Sequence, residues 1–479
     1  MKKSFILSIL LFFFFFSAQA QAPDTAWTRT YHRADTDDCR FIVELSDGGF
    51  AMVGQSHIFL ENQMDILLIR TDSEGDVIWT HTYGDEIIGQ EAYCVKADAD
   101  NGFVIAGIKH LTPTIRNAWI IKTDSNGDTL WTTKYGGVLS AEAKHVSCTS
   151  DNGYIVTGIK FNPGYFADAY LLKLNSNGEI EWDYSFGDAG YQAGTYVQQT
   201  SDGGYMLAGY SQVSGKGYDF YLIKTDESGT EEWSKTCGGI SNDYCTSAAQ
   251  TFDDGYIMFG ESDSYIPNSS LAFRTNSEGD SIWSKTYKRS VGDYGQSVAQ
   301  TSDSGFIFGG YSNNPGKLDD FWFIRTEANG DTLWMKTVGY GDYQRGYCVL
   351  QSSDGGYVLA GSSFHSIPNG TDYYVVKLLP IITNINENSL PGGEITLSQN
   401  YPNPFKQTTK IEFQLRKSGS LALKVYDFTG REMVNLVDEF KPAGKYEVEF
   451  NGAGLKNGIY FYTLITGDFI ETKKMFLIK

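Results

Sequence analysis

Basic residues are scarce in this chain of 479: 38 Lys and Arg stand against 58 Asp and Glu, a formal net charge of −20. Phosphate binding needs clustered Lys and Arg, so nucleic acid is excluded as a partner. The one long apolar run is Phe5 to Phe16. No other stretch approaches the roughly 20 residues that span a bilayer, and no transmembrane segment is expected in the mature chain. Cysteine is sparse too: Cys39, Cys94, Cys148, Cys237, Cys245 and Cys348 are too few for a disulfide scaffold and form no CxxC metal or redox motif. Only Cys237 and Cys245, in TCGGISNDYC, are spaced for a bridge. A GxSxG nucleophile elbow, an HExxH zinc motif and a phosphate-binding glycine loop are all missing, so no catalytic residue is assigned. Paired carboxylates stay open as a hydrolytic device, because acids are numerous and only three dimensions show which two sit at a working separation.

What is present begins with Lys2 and Lys3, the apolar run, and Ser17-Ala18-Gln19-Ala20. These are a basic region, a hydrophobic region and an Ala-x-Ala cleavage site in order, so residues 1–20 read as a secretory signal peptide. A retained membrane anchor is the alternative, disfavoured by the run's short length. Gly (52), Tyr (31) and Phe (30) are abundant, which favours twisted sheets joined by tight turns.

Seven tryptophans, Trp27, Trp79, Trp131, Trp182, Trp233, Trp283 and Trp334, recur every 50 to 52 residues. The unit starting at Thr195 divides into four apolar-alternating runs, 196–200, 205–210, 219–225 and 231–236. Tight turns at Asp202-Gly203-Gly204 and Asp226–Gly229 separate the first pair and the last pair. One unit is one four-stranded sheet. An aromatic follows the first turn in every copy: Phe50, Phe103, Tyr154, Tyr205, Tyr256, Phe306 and Tyr357. Strand three carries a basic residue in every copy: Arg70, Lys122, Lys173, Lys224, Arg274, Arg325 and Lys377. The tryptophans run one step early, since Trp27 precedes the first hairpin and none follows Lys377. Residues 27–31 are therefore predicted to pair with 372–378 and complete the last sheet. The expected fold is all-β, with residues 23–380 a seven-bladed β-propeller closed by an N-terminal strand; an open solenoid is the alternative.

The run Asp124-Ser125-Asn126-Gly127-Asp128-Thr129-Leu130-Trp131 resembles the tryptophan-docking motif of quinoprotein-like propellers, which usually have eight blades. The vicinal cysteine pair that accompanies quinone binding in quinoprotein dehydrogenases is missing, so no such cofactor is expected. The repeat is also similar to kelch units in length, although their glycine pair after strand two occurs here only at Gly309-Gly310. Alternating oxygens at 124–128 suggest a calcium loop, but the copies at 175–179 and 226–230 keep the glycine and lose carboxylates, as a hairpin requires.

From Leu397 the pattern changes. Asn400-Tyr401-Pro402-Asn403-Pro404, the Tyr426–Gly430 hairpin, Asn457-Gly458-Ile459-Tyr460 and the basic pair Lys473-Lys474 resemble the type A C-terminal sorting domain of the type IX secretion system. That resemblance covers residues 397–479. It implies a small β-sandwich that engages the secretion translocon, directs passage across the outer membrane of a Gram-negative cell, and is usually removed there. Residues 381–396, with Pro391-Gly392-Gly393 and no apolar period, read as a linker.

Loops two-to-three and four-to-one share the more varied rim. Tyr165, Phe166, Tyr265 and Phe364 stand there among polar residues, as suits a glycan or protein ligand. His57, His110 and His365 follow strand two in neighbouring copies and are the candidate ligands for a metal ion, with Cys39, Cys94 or Cys348 beside them. No other cofactor is expected. The function expected is that of a secreted or cell-surface binding or adhesion module. A polysaccharide-acting hydrolase or lyase and a structural surface protein are the alternatives.

Overall fold

The computed structural model describes residues 21–59, 63–84, 89–163, 166–188, 190–313, 318–366, 369–380, 395–415, 419–427, 431–441, 444–466 and 469–479. The signal peptide and most of the linker expected from the sequence lie outside them. All regular elements described are β-strands, and no helix is long and apolar enough to cross a membrane. The chain divides into two compact units at residues 381 and 382.

In the first unit the first six copies each fold as four consecutive antiparallel strands and the seventh as three. The fourth copy, for example, runs Gln192–Gln199, Tyr205–Gln212, Tyr218–Thr225 and Glu231–Cys237. Five copies are separate four-stranded sheets, while the first and last are joined through the single bridge Thr36↔Thr371. The N-terminal strand Thr25–Tyr31 pairs antiparallel with Asn369–Leu378, from Thr25↔Leu378 to Tyr31↔Tyr373. This is the pairing that the offset of the tryptophans predicts.

Two contacts hold neighbouring copies together. Each of the seven periodic tryptophans lies against the aromatic that follows the first hairpin of the next copy, with centroids 5.5–6.1 Å apart: Trp27–Phe50, Trp79–Phe103, Trp131–Tyr154, Trp182–Tyr205, Trp233–Tyr256, Trp283–Phe306 and Trp334–Tyr357. Trp27 belongs to the strand that completes the last sheet, yet it reaches the first copy, so the series has no gap. The ring also covers a turn glycine. A Cβ at Gly178, whose φ is +79°, would fall 2.5 Å from Trp131, which is why the turn keeps glycine while its carboxylates drift.

Within each copy the basic residue of strand three is buried and pairs with the aspartate of the first hairpin: Arg70–Asp47, Lys122–Asp100, Lys173–Asp151, Lys224–Asp202, Arg274–Asp253, Arg325–Asp303 and Lys377–Asp354. Burial alone would raise the Asp151 carboxyl, but hydrogen bonds from Lys173 and Thr149 outweigh it and bring it down to about 2. These cations hold the hairpin rather than a ligand.

All six cysteines are free thiols, and the Cys237–Cys245 bridge is not formed. Cys237 ends an outer strand opposite Phe220, whereas Cys245 is buried on the next inner strand with its thiol donating to the Ser247 carbonyl at 3.5 Å.

The second unit holds a three-stranded and a four-stranded sheet around a core that includes Leu397, Phe405, Phe413, Leu423, Tyr462 and Leu477. Its N-terminal segment is pinned from inside. Asn400, 2 % exposed, donates its amide to the Tyr462 hydroxyl at 2.7 Å and its side-chain nitrogen to Thr409 at 2.9 Å.

Candidate functional site at the inner-strand mouth

Each inner strand contacts the next, and the last, Tyr343–Gln351, contacts the first, Thr36–Glu44. Every one carries a bulge near its middle, at Cys39/Phe41, Ala92/Cys94, Ala143/His145, Gly194/Tyr196, Cys245/Ser247, Gly295/Ser297 and Gly346/Cys348. A bulge breaks the strict alternation of sides, so two successive side chains can serve one surface.

The residues at and before these bulges meet across copies. The Arg40 guanidinium lies 4.7 Å from the Tyr347 ring centroid. The Lys144 ammonium lies 3.7 Å from that of Tyr93, whose hydroxyl donates to Glu91 at 2.6 Å. Glu142 sits between Lys144 at 2.7 Å and Arg116 at 2.6 Å. Tyr191, Tyr210, Tyr218 and Tyr244 form one cluster with centroids 5.1–6.3 Å apart. Gln296 donates to Glu261 at 2.6 Å, and burial raises the Glu261 carboxyl against that bond. Tyr294 stacks on Tyr311 at 4.8 Å, and Arg345, paired with Asp319 at 2.9 Å, covers Tyr311 and Phe364. The result is a mouth of tyrosine rings and paired charges.

Deeper along the same strands the space is filled. His145 lies between Phe41 and Tyr196, with centroids at 5.6 and 4.2 Å, and the Lys96 ammonium is 4.5 Å from the Phe41 centroid. Burial lifts the Cys94 thiol to about 12; like Cys348 it donates to a backbone carbonyl of the neighbouring copy. These cysteines are packed thiols.

Burial and the Lys96 charge hold the His145 imidazole well below its ordinary 6.5. A depressed folded-state value means that its contribution is present above 6.5 and lost as pH falls, because only the unfolded state takes up the proton. The expected cost is about 1.4 kcal/mol per pH unit below that point. Thermal midpoints between pH 7 and pH 5 should therefore fall more steeply for the native chain than for His145→Gln; parallel curves would show that His145 is not the group responsible.

The expected rim residues are only partly gathered. Phe364 joins the mouth through Arg345. Phe166 and Tyr265 are about half exposed on their loops, the latter with its hydroxyl 3.4 Å from the Gly238 carbonyl. Tyr165 lies outside the described residues. Of the histidines, His57 packs edge-on against Phe59 at 4.8 Å and His110 faces Glu91 at 3.9 Å; the His365 side chain lies outside the described residues. The described group whose ligand atoms gather within 4.8 Å is a different one, His32, Asp37 and Asp372. Recesses of about 460 and 430 Å³ open among the hairpin turns. Their walls include the Asp47–Arg70 and Asp253–Arg274 pairs that hold the hairpins.

The sequence reading missed the inner-strand residues. A usable signal was there: Asp38, Glu91, Glu142 and Arg345 are charged at one register position of four inner strands, the residue before the bulge pair.

In the second unit the Asn403 side chain accepts from the Phe476 amide at 2.8 Å, and that of Asn457 accepts from Lys479 at 3.0 Å. Tyr460 donates to the Lys456 carbonyl, Gly458 begins its strand, Lys473 pairs with Glu471, and the Lys474 carbonyl accepts from Gln399. Tyr401 and Pro402 precede Pro404 through two cis X-Pro bonds; Gly430 lies outside the described residues. The sorting signature therefore ties the start of the unit to its last strand.

Residues 399–479 match the family described as secretion system C-terminal sorting domain. That tail marks the chain for export to the cell surface or the extracellular space. No curated protein matches the chain. Solved structures resemble it at fold level: a fungal AA5-family alcohol oxidase in complex with copper (9% identity, TM-score 0.49, 95% of this chain and 100% of that one), a puromycin hydrolase (9%, 0.45, 83% and 62%), and the β-propeller domain of the trilobed protease from Pyrococcus furiosus (9%, 0.40, 75% and 99%).

Proposed function

We propose that the first unit is a closed seven-bladed β-propeller, exported from a Gram-negative cell with later removal of its tail, which binds a glycan or protein through the inner-strand mouth. The observation that carries this reading is the mouth itself, where half-buried tyrosines from several copies cluster beside charges already paired. Such rings offer stacking area to sugar faces while the fixed Arg, Lys and Glu orient hydroxyls or peptide groups. The acids are engaged by donors, Glu142 by two cations and Glu91 by a phenol, which favours binding over acid–base work.

A glycan array probed with the purified chain tests it. Saturable binding without product release is expected, weakened about tenfold, or 1.4 kcal/mol, by Tyr191→Ala or Tyr244→Ala. Loss through Phe166→Ala and Tyr265→Ala instead would move the site to the outer loops. Polysaccharide cleavage would bring forward the second reading, a hydrolase or lyase, which the raised Glu261 carboxyl favours.

A further inference from the structure

The repeat provides its own controls at the place where each outer strand ends. In four copies the carboxylate that opens strand three lies against a glycine just past the outer strand: Asp65 at Gly84, Asp168 at Gly187, Asp219 at Gly238 and Asp320 at Gly339. A Cβ on any of these glycines would come within 2.3 Å of the carboxylate oxygen. The next inner strand contributes Gln90, Gln192 and Gln344 at three of these junctions. At the junction formed by the N-terminal strand, both residue types change. His32 stands where the glycine would be, its Nδ1 2.6 Å from Asp372 Oδ1, and Asp37 takes the glutamine's register position.

Three potential ligands thus converge where the other copies have one or two, with their ligand atoms within 4.8 Å of one another. The second observation is Asp37 itself. It is fully buried; its Oδ2 accepts the amides of Arg33 and Ala34, and its Oδ1 accepts no hydrogen bond. At the same register Asp243 and Asp293 have both oxygens satisfied, through Ser262, Ser264 and Gly239 in one case and Ser312, Arg289 and Ser290 in the other, whereas Gln192 and Gln344 keep one oxygen without a hydrogen bond as Asp37 does; Asp37 differs from those two in being a carboxylate beside an imidazole. The His32 side chain, 66% exposed, leaves an open approach and room for water ligands.

We propose that His32, Asp37 and Asp372 bind a divalent transition-metal ion, zinc the best matched, which staples the N-terminal strand to the first and last copies. One imidazole and two carboxylates suit zinc in ligand type, and the two negative charges neutralise it. Because His32 follows the N-terminal strand while Asp37 and Asp372 lie on the strands Thr36–Glu44 and Asn369–Leu378, binding favours the closed junction.

The test is calorimetric titration of the purified full chain with Zn²⁺, with Ca²⁺ as the counter-probe because imidazole is a poor ligand for it. One Zn²⁺ per chain and a raised thermal midpoint are expected, with no saturable Ca²⁺ binding. His32→Gly, which restores the residue of the other copies and so should fold, is expected to lose at least tenfold in affinity, as is Asp37→Asn. A chain carrying both His57→Ala and His110→Ala should bind unchanged. No saturable Zn²⁺ binding below about 100 µM, binding undiminished in His32→Gly, or binding lost in the His57/His110 chain would each overturn the proposal.

Discussion

Deletion of residues 23–31 is expected to replace one cooperative unfolding transition of the first unit with a broad transition of much lower midpoint. The segment supplies the fourth strand of the last sheet along Asn369–Leu378. It also supplies the Trp27–Phe50 contact and the Tyr31 hydroxyl bond to the Gly75 carbonyl at 2.8 Å, both of which cross to the first copy. Burying the two aromatic side chains is worth roughly 2 kcal/mol each, and the ladder bonds add to this, so a loss on the order of 5 kcal/mol is expected. That is a large fraction of a domain's net stability. The deletion also bares a strand edge, and self-association should rise with it. Differential scanning calorimetry decides the matter. An open solenoid would lose only its end repeat and keep a sharp main transition, so a midpoint lowered by only a few degrees with cooperativity intact would exclude the closed ring.

Deletion of residues 399–479 is expected to cut the externalised chain at least tenfold and to leave the protein cell-associated, read by immunoblot of medium, surface and cell fractions. The matched family gives the direction. The structure adds that the segment works as a folded unit: Asn400 is held by Tyr462 and Thr409, and Phe405 exchanges backbone bonds with Phe476 on the last strand and Ile478 just after it. Asn400→Ala, which removes the buried side-chain donor to the Thr409 hydroxyl and the Pro402 carbonyl, should cost about 1–3 kcal/mol of tail stability and reproduce part of the export defect. Normal export of the deleted chain would mean that the tail is not the sorting signal.

The tryptophan period and the step by which it starts early were legible because each repeat solves the same local problem, a four-stranded sheet with two tight turns. The pairing of Thr25–Tyr31 with Asn369–Leu378 followed from that offset alone. The basic residue of strand three was equally visible as a column of Arg and Lys, but its partner was not. Asp47 and Arg70 lie 23 positions apart and meet only after two hairpins have folded back. The disulfide suggested at Cys237 and Cys245 failed for the same reason, since nearness in sequence said nothing about which strand each would join or which way its thiol would point.

The sequence by itself determined the all-β composition, the sevenfold repeat, the N-terminal strand's partner and the sorting tail, because these depend on short-range periodicity and local turn chemistry. Only the tertiary structure decided where chemistry gathers. The mouth takes residues from every copy, with equivalent positions about fifty residues apart, and the His32, Asp37 and Asp372 group joins residues some 340 positions apart. Side chains so distant in sequence share no local pattern; what places them together is the docking of one sheet on the next, settled by the tryptophan rings and by the strand that returns from the other end of the chain.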